Sequence, residues 1–420
     1  MASKKLRNLK IGIIGLGPRS PAQILGTKAV GNAVITAICD CDETRIEPAL
    51  KRFRENKMKR PRVYLDHREL LADPEVEAVM VPTSWNAHVP IAIDAMRAGK
   101  YVAFEVGGAC SIQQLWNLVH TSEETGIPCM MLENCCYGRD EMLVLNLVRQ
   151  GRFGELVYCE GGYEHNLAGM ACSLEHQRER AIQNLRRNGD LYPTHALGPI
   201  AKILNINRGN RFVSLTSTAT KARGFAAAAE KRGWAGTGGH RVFNKGDVVT
   251  TVIKCANGEV VTLKHCVSLP RPYSRDCRVQ GTKGLWLEDA KGIFIEGFSK
   301  VEEVGPPGGT WHVEKWDPVD SYYEQHDHPL WKRFRDNVTG GHGGMDTLVV
   351  QAFFDAVRHR APTPIDVYDC AAWMSITCLS EESIAMGSAP VPVPDFTNGK
   401  WIRREPERSS PWMLSEIYPG

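Results

Sequence analysis

Lys10-Ile-Gly-Ile-Ile-Gly15-Leu-Gly17-Pro18-Arg19-Ser20 joins an apolar strand, a glycine turn and the start of a helix. It reads as the first strand–helix unit of a dinucleotide-binding domain. Gly15 permits the tight turn, and Gly17 lets the backbone approach a pyrophosphate that the helix N-terminus would meet. Ser20 stands where the G-x-G-x-x-G pattern has its third glycine, so a plain glycine-rich loop is an open alternative. Downstream context favours the cofactor. Asn32-Ala-Val-Ile-Thr-Ala-Ile-Cys-Asp40 is a second apolar strand that ends in a carboxylate, where a ribose-binding acid is expected.

The pattern continues outward from there. Asp42–Asn56 has helical composition, Asp66–Val76 carries a short helix stopped at Asp73-Pro74, and Val76–Pro82 reads as a buried strand. Thr83-Ser-Trp85-Asn-Ala-His88 is then a loop at a strand C-terminus, followed by an amphipathic helix from Val89 to Ala98. Ligands of open parallel sheets sit at such ends, so Trp85 and His88 are candidate cofactor contacts, with loop packing and helix capping as the alternative. Gly99–Glu105 closes another unit, and the helix Ile112–Gly126 leads into the strand Pro128–Asn134.

The 420 residues exceed one ordinary core and favour two domains. Hydrophobic residues at 43% and charged residues at 24% are globular values, and a net charge of +3 with mixed signs calls for neither nucleic acid nor an anionic membrane. No apolar run reaches the roughly 18 residues of a membrane span, and the first residues carry no apolar signal core. A soluble cytoplasmic chain is the expectation, with a periplasmic location open because a trimmed export signal leaves no trace. The thirteen cysteines form no C-x-x-C pair or zinc-like cluster, so free thiols and no metal site are expected, with adjacent Cys135 and Cys136 at a buried strand end or turn.

Gly15-Leu-Gly17, Asp40, Val-Pro-Thr-Ser-Trp-Asn-Ala-His88 and Ala-Gly-Lys-Tyr-Val-Ala-Phe-Glu105 resemble, in order, the oxidoreductase superfamily of glucose–fructose oxidoreductase and inositol dehydrogenase. That superfamily continues Glu-Lys-Pro, and its lysine assists hydride transfer at a substrate alcohol. This chain runs Glu105-Val106-Gly107, which counts against a simple sugar dehydrogenase.

The second half reads as strands over 157–164, 211–218, 247–254, 260–266 and 274–281, spaced for an open, mainly antiparallel sheet. Helices are expected over Ser173–Asn188, Thr194–Leu204, Pro329–Asn337 and Asp346–Arg358. The expected organisation is a Rossmann-type parallel-sheet domain at 1–150, an α+β substrate domain at 151–390 and an extended Pro-rich tail at 391–420. Gly189-Asp-Leu-Tyr192-Pro-Thr-His195 places a tyrosine and a histidine around a proline-started helix, where a neutral imidazole could take a hydroxyl proton. A structural capping histidine is the competing reading, and spacing alone does not group Tyr163 and Tyr273 with this pair.

A second resemblance does group them. Met131–Arg139, Glu160-Gly-Gly-Tyr163, Gly189–Pro199, Arg271-Pro-Tyr273-Ser-Arg275 and Gly341-His-Gly-Gly-Met-Asp346 are similar to glycoside hydrolase family 109, whose known activity is NAD-dependent α-N-acetylgalactosaminidase. Carried over by motif, Pro18, Arg19, Asp40, Trp85, His88, Glu105, Val106 and Asn134 would bind NAD, beside Gly15 and Gly17 of the glycine turn. Tyr163, Tyr192, His195 and Tyr273 would line the sugar site, with an arginine from Arg178 or Arg180. The partner implied is a glycoside or glycan ending in an N-acetylhexosamine, and superfamily analogy makes the open sheet a face for homo-oligomerisation.

The resemblance also implies a chemistry unlike that of two-carboxylate glycosidases. Hydride leaves sugar C3 for NAD, the ketone acidifies the C2 proton, the aglycone departs by elimination, water adds at C1 and the hydride returns. His195 with Tyr192 is assigned to the C3 hydroxyl, Tyr163 to C2, and Glu133 to a supporting or orienting role. An NAD-dependent sugar or polyol dehydrogenase is the alternative activity, and a non-catalytic NAD-binding sensor is a third reading.

Overall fold

The computed structural model describes residues 7–171, 178–232, 243–305, 311–408 and 410–414, without the side chains of residues 170, 171 and 178. The chain divides into two compact units, both discontinuous. One combines the chain up to Gly138 with Arg333–Ser375 and the segment from Pro406; the other takes Arg139–Lys332 and Ile376–Glu405.

The first unit is built on six strands, β1 (Leu9–Ile14), β2 (Ala33–Cys39), β3 (Arg62–Tyr64), β4 (Ala78–Val81), β5 (Tyr101–Phe104) and β6 (Cys129–Met131). Every pairing is parallel, in the order β3-β2-β1-β4-β5-β6. This is the doubly wound order, in which the strand sequence reverses between β1 and β4 and ligands sit at the carboxyl ends beside that reversal. The strands read as apolar runs because helices cover both faces: all four residues of β4 are buried. Within β1, a Cβ on Gly12 would stand 2.8 Å from Leu70 and 3.2 Å from Val79, so glycine lets the covering layer approach.

Two local expectations change. The loop read over Thr83–His88 is already helical from Trp85, because extended Ser84 starts the helix Trp85–Arg97 with Pro90 inside it. The helix Val367–Ala385 has no counterpart in the sequence reading. It buries Cys370, Trp373, Met374 and Ile376 together with Ser375, Thr377, Ser380 and Ser383, so it shows no polar face to betray its period.

The second unit centres on nine strands. They are β7 (Leu156–Glu164), β8 (Phe212–Ala219), β9 (Val249–Cys255), β10 (Val260–Cys266), β11 (Arg278–Gly281), β12 (Gly284–Leu287), β13 (Gly292–Ile295), then, after the exposed hairpin β14 (Val301–Val304) and β15 (Trp311–Glu314), β16 (Asp317–Pro318) and finally β17 (Val391–Pro392). The order is β16-β13-β12-β11-β7-β10-β9-β8-β17, with β7 and β10 parallel and the other pairs antiparallel. Part of the segment expected as an extended tail thus joins the sheet as β17, and Val391, Val393 and Phe396 are buried. The helix expected over Ser173–Asn188 lies partly outside the described residues; its described part is Arg178–Arg186. A Cβ on Gly161 would meet the Ala196 Cβ at 2.9 Å, so β7 and the helix Thr194–Ile203 touch backbone to side chain. That contact fixes Tyr163 and His195, each close along the chain to one of the touching residues, in one neighbourhood.

Candidate active site

In the first unit, the residues expected around the cofactor lie at the carboxyl ends of the parallel strands. Gly15 has φ +101°, and a Cβ there would stand 2.6 Å from Thr83 Cγ2 and 3.1 Å from the Pro82 backbone. Only glycine lets the loops after β1 and β4 meet in this way. Gly17 differs: its Cβ would find nothing nearer than Arg45 Nη1 at 3.8 Å, so the turn is open above the start of the helix Ser20–Val30. Pro18 is exposed at this opening. Ser20, in the third-glycine position, donates from its N–H and its hydroxyl to the Gly17 carbonyl at 3.0 and 2.9 Å and so closes the turn itself. Asp40 follows β2, nearly buried, accepting from Leu16 N at 2.7 Å and Asp42 N at 2.9 Å. An open glycine turn on a helix N-terminus, with a carboxylate after the next strand, fits a dinucleotide.

Trp85 and His88 occupy the first turn of the helix after β4. His88 is buried and its Nε2–H donates to the Thr83 carbonyl at 3.0 Å; Nδ1 meets no partner among the described residues. Burial pushes its pKa down to about 4, against the smaller opposing effect of the Thr83 bond, so the ring is neutral. The Trp85 indole lies on Gly107, where a Cβ would stand 2.5 Å from Cδ1. Glu105-Val106-Gly107 therefore replaces Glu-Lys-Pro in a setting where an indole covers the third position.

Arg19, Glu105 and Asn134 come together through a residue to which the sequence reading gave no role. Arg19 Nε donates to Glu105 Oε1 at 2.8 Å, and its two terminal nitrogens donate to Asp346 at 2.8 and 3.1 Å. Asn134 Nδ2 donates to Asp346 Oδ1 at 2.7 Å, His342 Nδ1 lies 2.9 Å from Oδ2, and Gln23 donates to Glu105. Burial would raise the Asp346 pKa; the bonds from His342 and Arg19 outweigh it and hold this carboxyl well below the usual carboxylate range. Glu133, also buried, caps the short turn Asn134–Tyr137 by accepting from Cys135 N at 3.0 Å, with Cys135 and Cys136 both buried in that turn.

The second unit gathers the sugar-site candidates. The Tyr163 ring centroid lies 4.5 Å from that of Tyr192, 5.6 Å from His195 and 6.4 Å from Tyr273; Tyr192 and His195 meet edge to face at 4.9 Å. Arg180, from the helix Arg178–Arg186, places its guanidinium carbon 5.2 Å from the Tyr192 centroid and hydrogen-bonds both Tyr163 and Tyr192. Burial disfavours its charge, yet attraction to the two phenol oxygens prevails and raises its pKa. The side chain of Arg178 lies outside the described residues. Tyr273 is half exposed on a loop tied to β7 by Ser274 N–H to Glu164 O at 3.0 Å, the reciprocal bond at 3.1 Å, and an Arg271–Glu164 ion pair.

Three more residues stand behind the tyrosines. His265, paired with Tyr163 across β10 and β7, stacks on its ring at 6.1 Å and 15°. Burial, with the nearby Lys245 and Arg180 charges, pushes its pKa well below the ordinary histidine value. Lys245 is wholly buried, which lowers its pKa to about 8, and Asp190, raised by burial to about 6, accepts from Tyr192 N at 3.1 Å. His265 and Lys245 carried no signal in the sequence, because an isolated histidine on a strand or lysine in a loop looks like any surface residue. Asp190, His342 and Asp346 lay inside quoted motifs without a role.

Known proteins resemble this chain over most of its length. Residues 137–403 match the family model described as glycosyl hydrolase 109, C-terminal domain. The chain belongs to glycosyl hydrolase family 109. Residues 9–132 match the model described as oxidoreductase family, NAD-binding Rossmann fold. The chain is 40% identical to an α-N-acetylgalactosaminidase of Tannerella forsythia, over 96% of this chain and 90% of that one. It is 36% identical to an α-N-acetylgalactosaminidase of Shewanella oneidensis, over 97% and 89%. Among solved structures, a levoglucosan dehydrogenase in complex with NADH and levoglucosan superposes with a TM-score of 0.66 at 19% identity, over 92% of this chain and 100% of that one. A scyllo-inositol dehydrogenase from Lactobacillus casei gives 0.63 at 15%, over 92% and 99%. Those two likenesses are likenesses of fold. The family 109 chain is thus a glycosidase that carries an NAD-binding Rossmann domain, and among its described residues no helix is long and apolar enough to cross a membrane.

Proposed function

We propose that this family 109 protein removes terminal α-linked N-acetylgalactosamine from glycans by oxidation, elimination, addition and reduction. The observation that carries the reading is the meeting of Tyr163, Tyr192, His195 and Arg180, three groups able to carry protons beside one fixed cation. The names of the relatives from Tannerella forsythia and Shewanella oneidensis support the substrate.

Bound NAD supplies a hydride acceptor for sugar C3 and gives the hydride back at the end of each turnover. His195, with Tyr192 edge-on against it, takes the proton of the C3 hydroxyl. Tyr163 takes the C2 proton. Its phenolate is the costly species, and the Arg180 bond to its oxygen is the group that stabilises it. Tyr273, at the exposed rim, stacks on the sugar. Gly15, Gly17, Pro18, Arg19, Asp40, Trp85, His88, Glu105, Val106 and Asn134 would hold the dinucleotide. Glu133 acts as the orienting carboxylate, because its capping bond fixes the turn that begins at Asn134.

Nitrophenyl N-acetylhexosaminides of both anomers, assayed for aglycone release with absorbance followed at 340 nm, test this reading. The α-galacto substrate should release nitrophenol with no net NADH. Accumulation of NADH on a free sugar or polyol, without aglycone release, would establish the dehydrogenase instead.

A further inference from the structure

We propose that Asp346 is the positioning residue that holds Arg19 and Asn134 in the geometry required to bind the dinucleotide. The inference rests on the cofactor assignment made above for those two residues and extends it to a residue far along the chain.

The Asp346 carboxylate is nearly buried, and each of its oxygens accepts two bonds. Oδ1 takes Arg19 Nη2 at 2.8 Å and Asn134 Nδ2 at 2.7 Å; Oδ2 takes Arg19 Nη1 at 3.1 Å and His342 Nδ1 at 2.9 Å. Arg19 is gripped at its other edge by Glu105, so both edges of the guanidinium are fixed. An arginine held this way reaches a ligand without first losing its rotamer freedom, which is where preorganisation raises affinity. The same carboxylate sets the side-chain amide of Asn134. An amide could not replace it: asparagine offers one acceptor oxygen and turns an N–H₂ toward donors.

The surrounding loop is shaped for this carboxylate. His342, Gly343 and Gly344 have φ of +52°, +65° and +97°, and a Cβ on Gly341 would stand 2.7 Å from Asp346 Oδ2. Glycines let the chain fold over the acid at the start of the helix Met345–His359, and Thr347 Oγ1 closes the loop on the Thr339 carbonyl at 2.7 Å. Positive φ at a histidine is strain retained for a purpose. Here it returns the imidazole to its own helix's first carboxylate. Two basic groups, Arg19 and His342, whose pKa the Asp346 bond raises, face the two acids Asp346 and Glu105.

The test is NAD affinity, measured by titrating NAD into the apoprotein, alongside its thermal midpoint. Asp346→Asn should weaken NAD binding tenfold or more while the midpoint falls by only a few degrees. Arg19→Gln and Asn134→Ala should each weaken it as well. The decisive measurement is the double variant Arg19→Gln with Asp346→Asn, which should lose little more than the worse single variant, because both act through one contact. A loss equal to the product of the two single losses, or an Asp346→Asn protein that binds NAD within twofold of the parent, would overturn the proposal. Should Asp346→Asn fail to fold, Gly341→Ala displaces the carboxylate without removing it and should weaken NAD in the same direction; unchanged affinity there overturns the proposal too. If Arg19→Gln and Asn134→Ala both bind NAD normally, the cofactor assignment itself falls, and this inference with it.

Discussion

Leu16 donates its backbone N–H to Oδ2 of Asp40 at 2.7 Å, so the acid expected to select the ribose also pins the glycine turn. A carboxylate oxygen accepts more than one bond, and Asp40 can serve both partners. The apoprotein should bind NAD in preference to NADP, because a 2′-phosphate would meet this carboxylate. Asp40→Ala should lose more than selectivity: the Leu16 and Asp42 amides lose their acceptor, and NAD affinity should drop about tenfold or more, with roughly 1–3 kcal/mol of stability lost as well. Asp40→Asn, which keeps one acceptor, should recover much of the stability without the preference. Calorimetric titration with both dinucleotides and a thermal melt check these outcomes; an Asp40→Ala protein with unaltered NAD preference would refute the assignment.

Gly107 lies under the Trp85 indole, with no room for a methyl group. Gly107→Ala should therefore move the indole and weaken NAD binding about tenfold, with a stability loss of roughly 1–3 kcal/mol typical of overpacking. Trp85→Phe, smaller at the same place, should restore part of the affinity in the Gly107→Ala background. Affinities of the two single variants and the double variant decide this.

Tyr163 and His195 are 5.6 Å apart between ring centroids, yet the proposed chemistry gives them different steps. His195→Ala should block oxidation at C3, so single-turnover absorbance at 340 nm should show no transient NADH. Tyr163→Phe should allow oxidation and stall elimination, so NADH should accumulate to about one equivalent. Hydrolysis in D₂O by the parent enzyme should place deuterium at C2 of the product. Retention of the original C2 proton, with Tyr163→Phe fully active, would point to direct displacement at C1.

His88 gives a pH prediction with a definite sign. Burial lowers its folded-state pKa to about 4, below the ordinary value of 6.5, so between these values the unfolded chain binds a proton that the folded chain refuses. Its contribution is fully present above pH 6.5 and is lost as pH falls toward 4, in total roughly 3 kcal/mol. His88→Gln should flatten the decline of apoprotein stability across that window, as read by denaturant melts at stepped pH. An unchanged slope would contradict it.

How much was legible in advance differed between the two halves. The order strand, glycine turn, helix, strand, acid is a local pattern with a fixed period, and β1, β2, β4, β5 and β6 follow it closely. The start of the helix at Trp85 escaped because the polar residues of Thr83–His88 read as loop, whereas the helix begins directly after extended Ser84. Val367–Ala385 escaped because, buried nearly all round from Val367 to Ser380, it shows no stripe. In the second half, resemblance named Tyr163, Tyr192, His195 and Tyr273, but their grouping depends on Gly161 letting β7 touch the helix at Ala196.

By itself the sequence determined the elements whose causes are local: the glycine turn, the apolar strands, the acid after β2 and the proline-started helix that carries His195. Tertiary structure alone decided which distant polar groups share a proton or a charge. Asp346 reaches Arg19 and Asn134 across long stretches of chain, and His265 lies against Tyr163 only because β10 runs parallel beside β7. A buried charge must find partners wherever the fold brings them, and no spacing along the chain encodes that meeting.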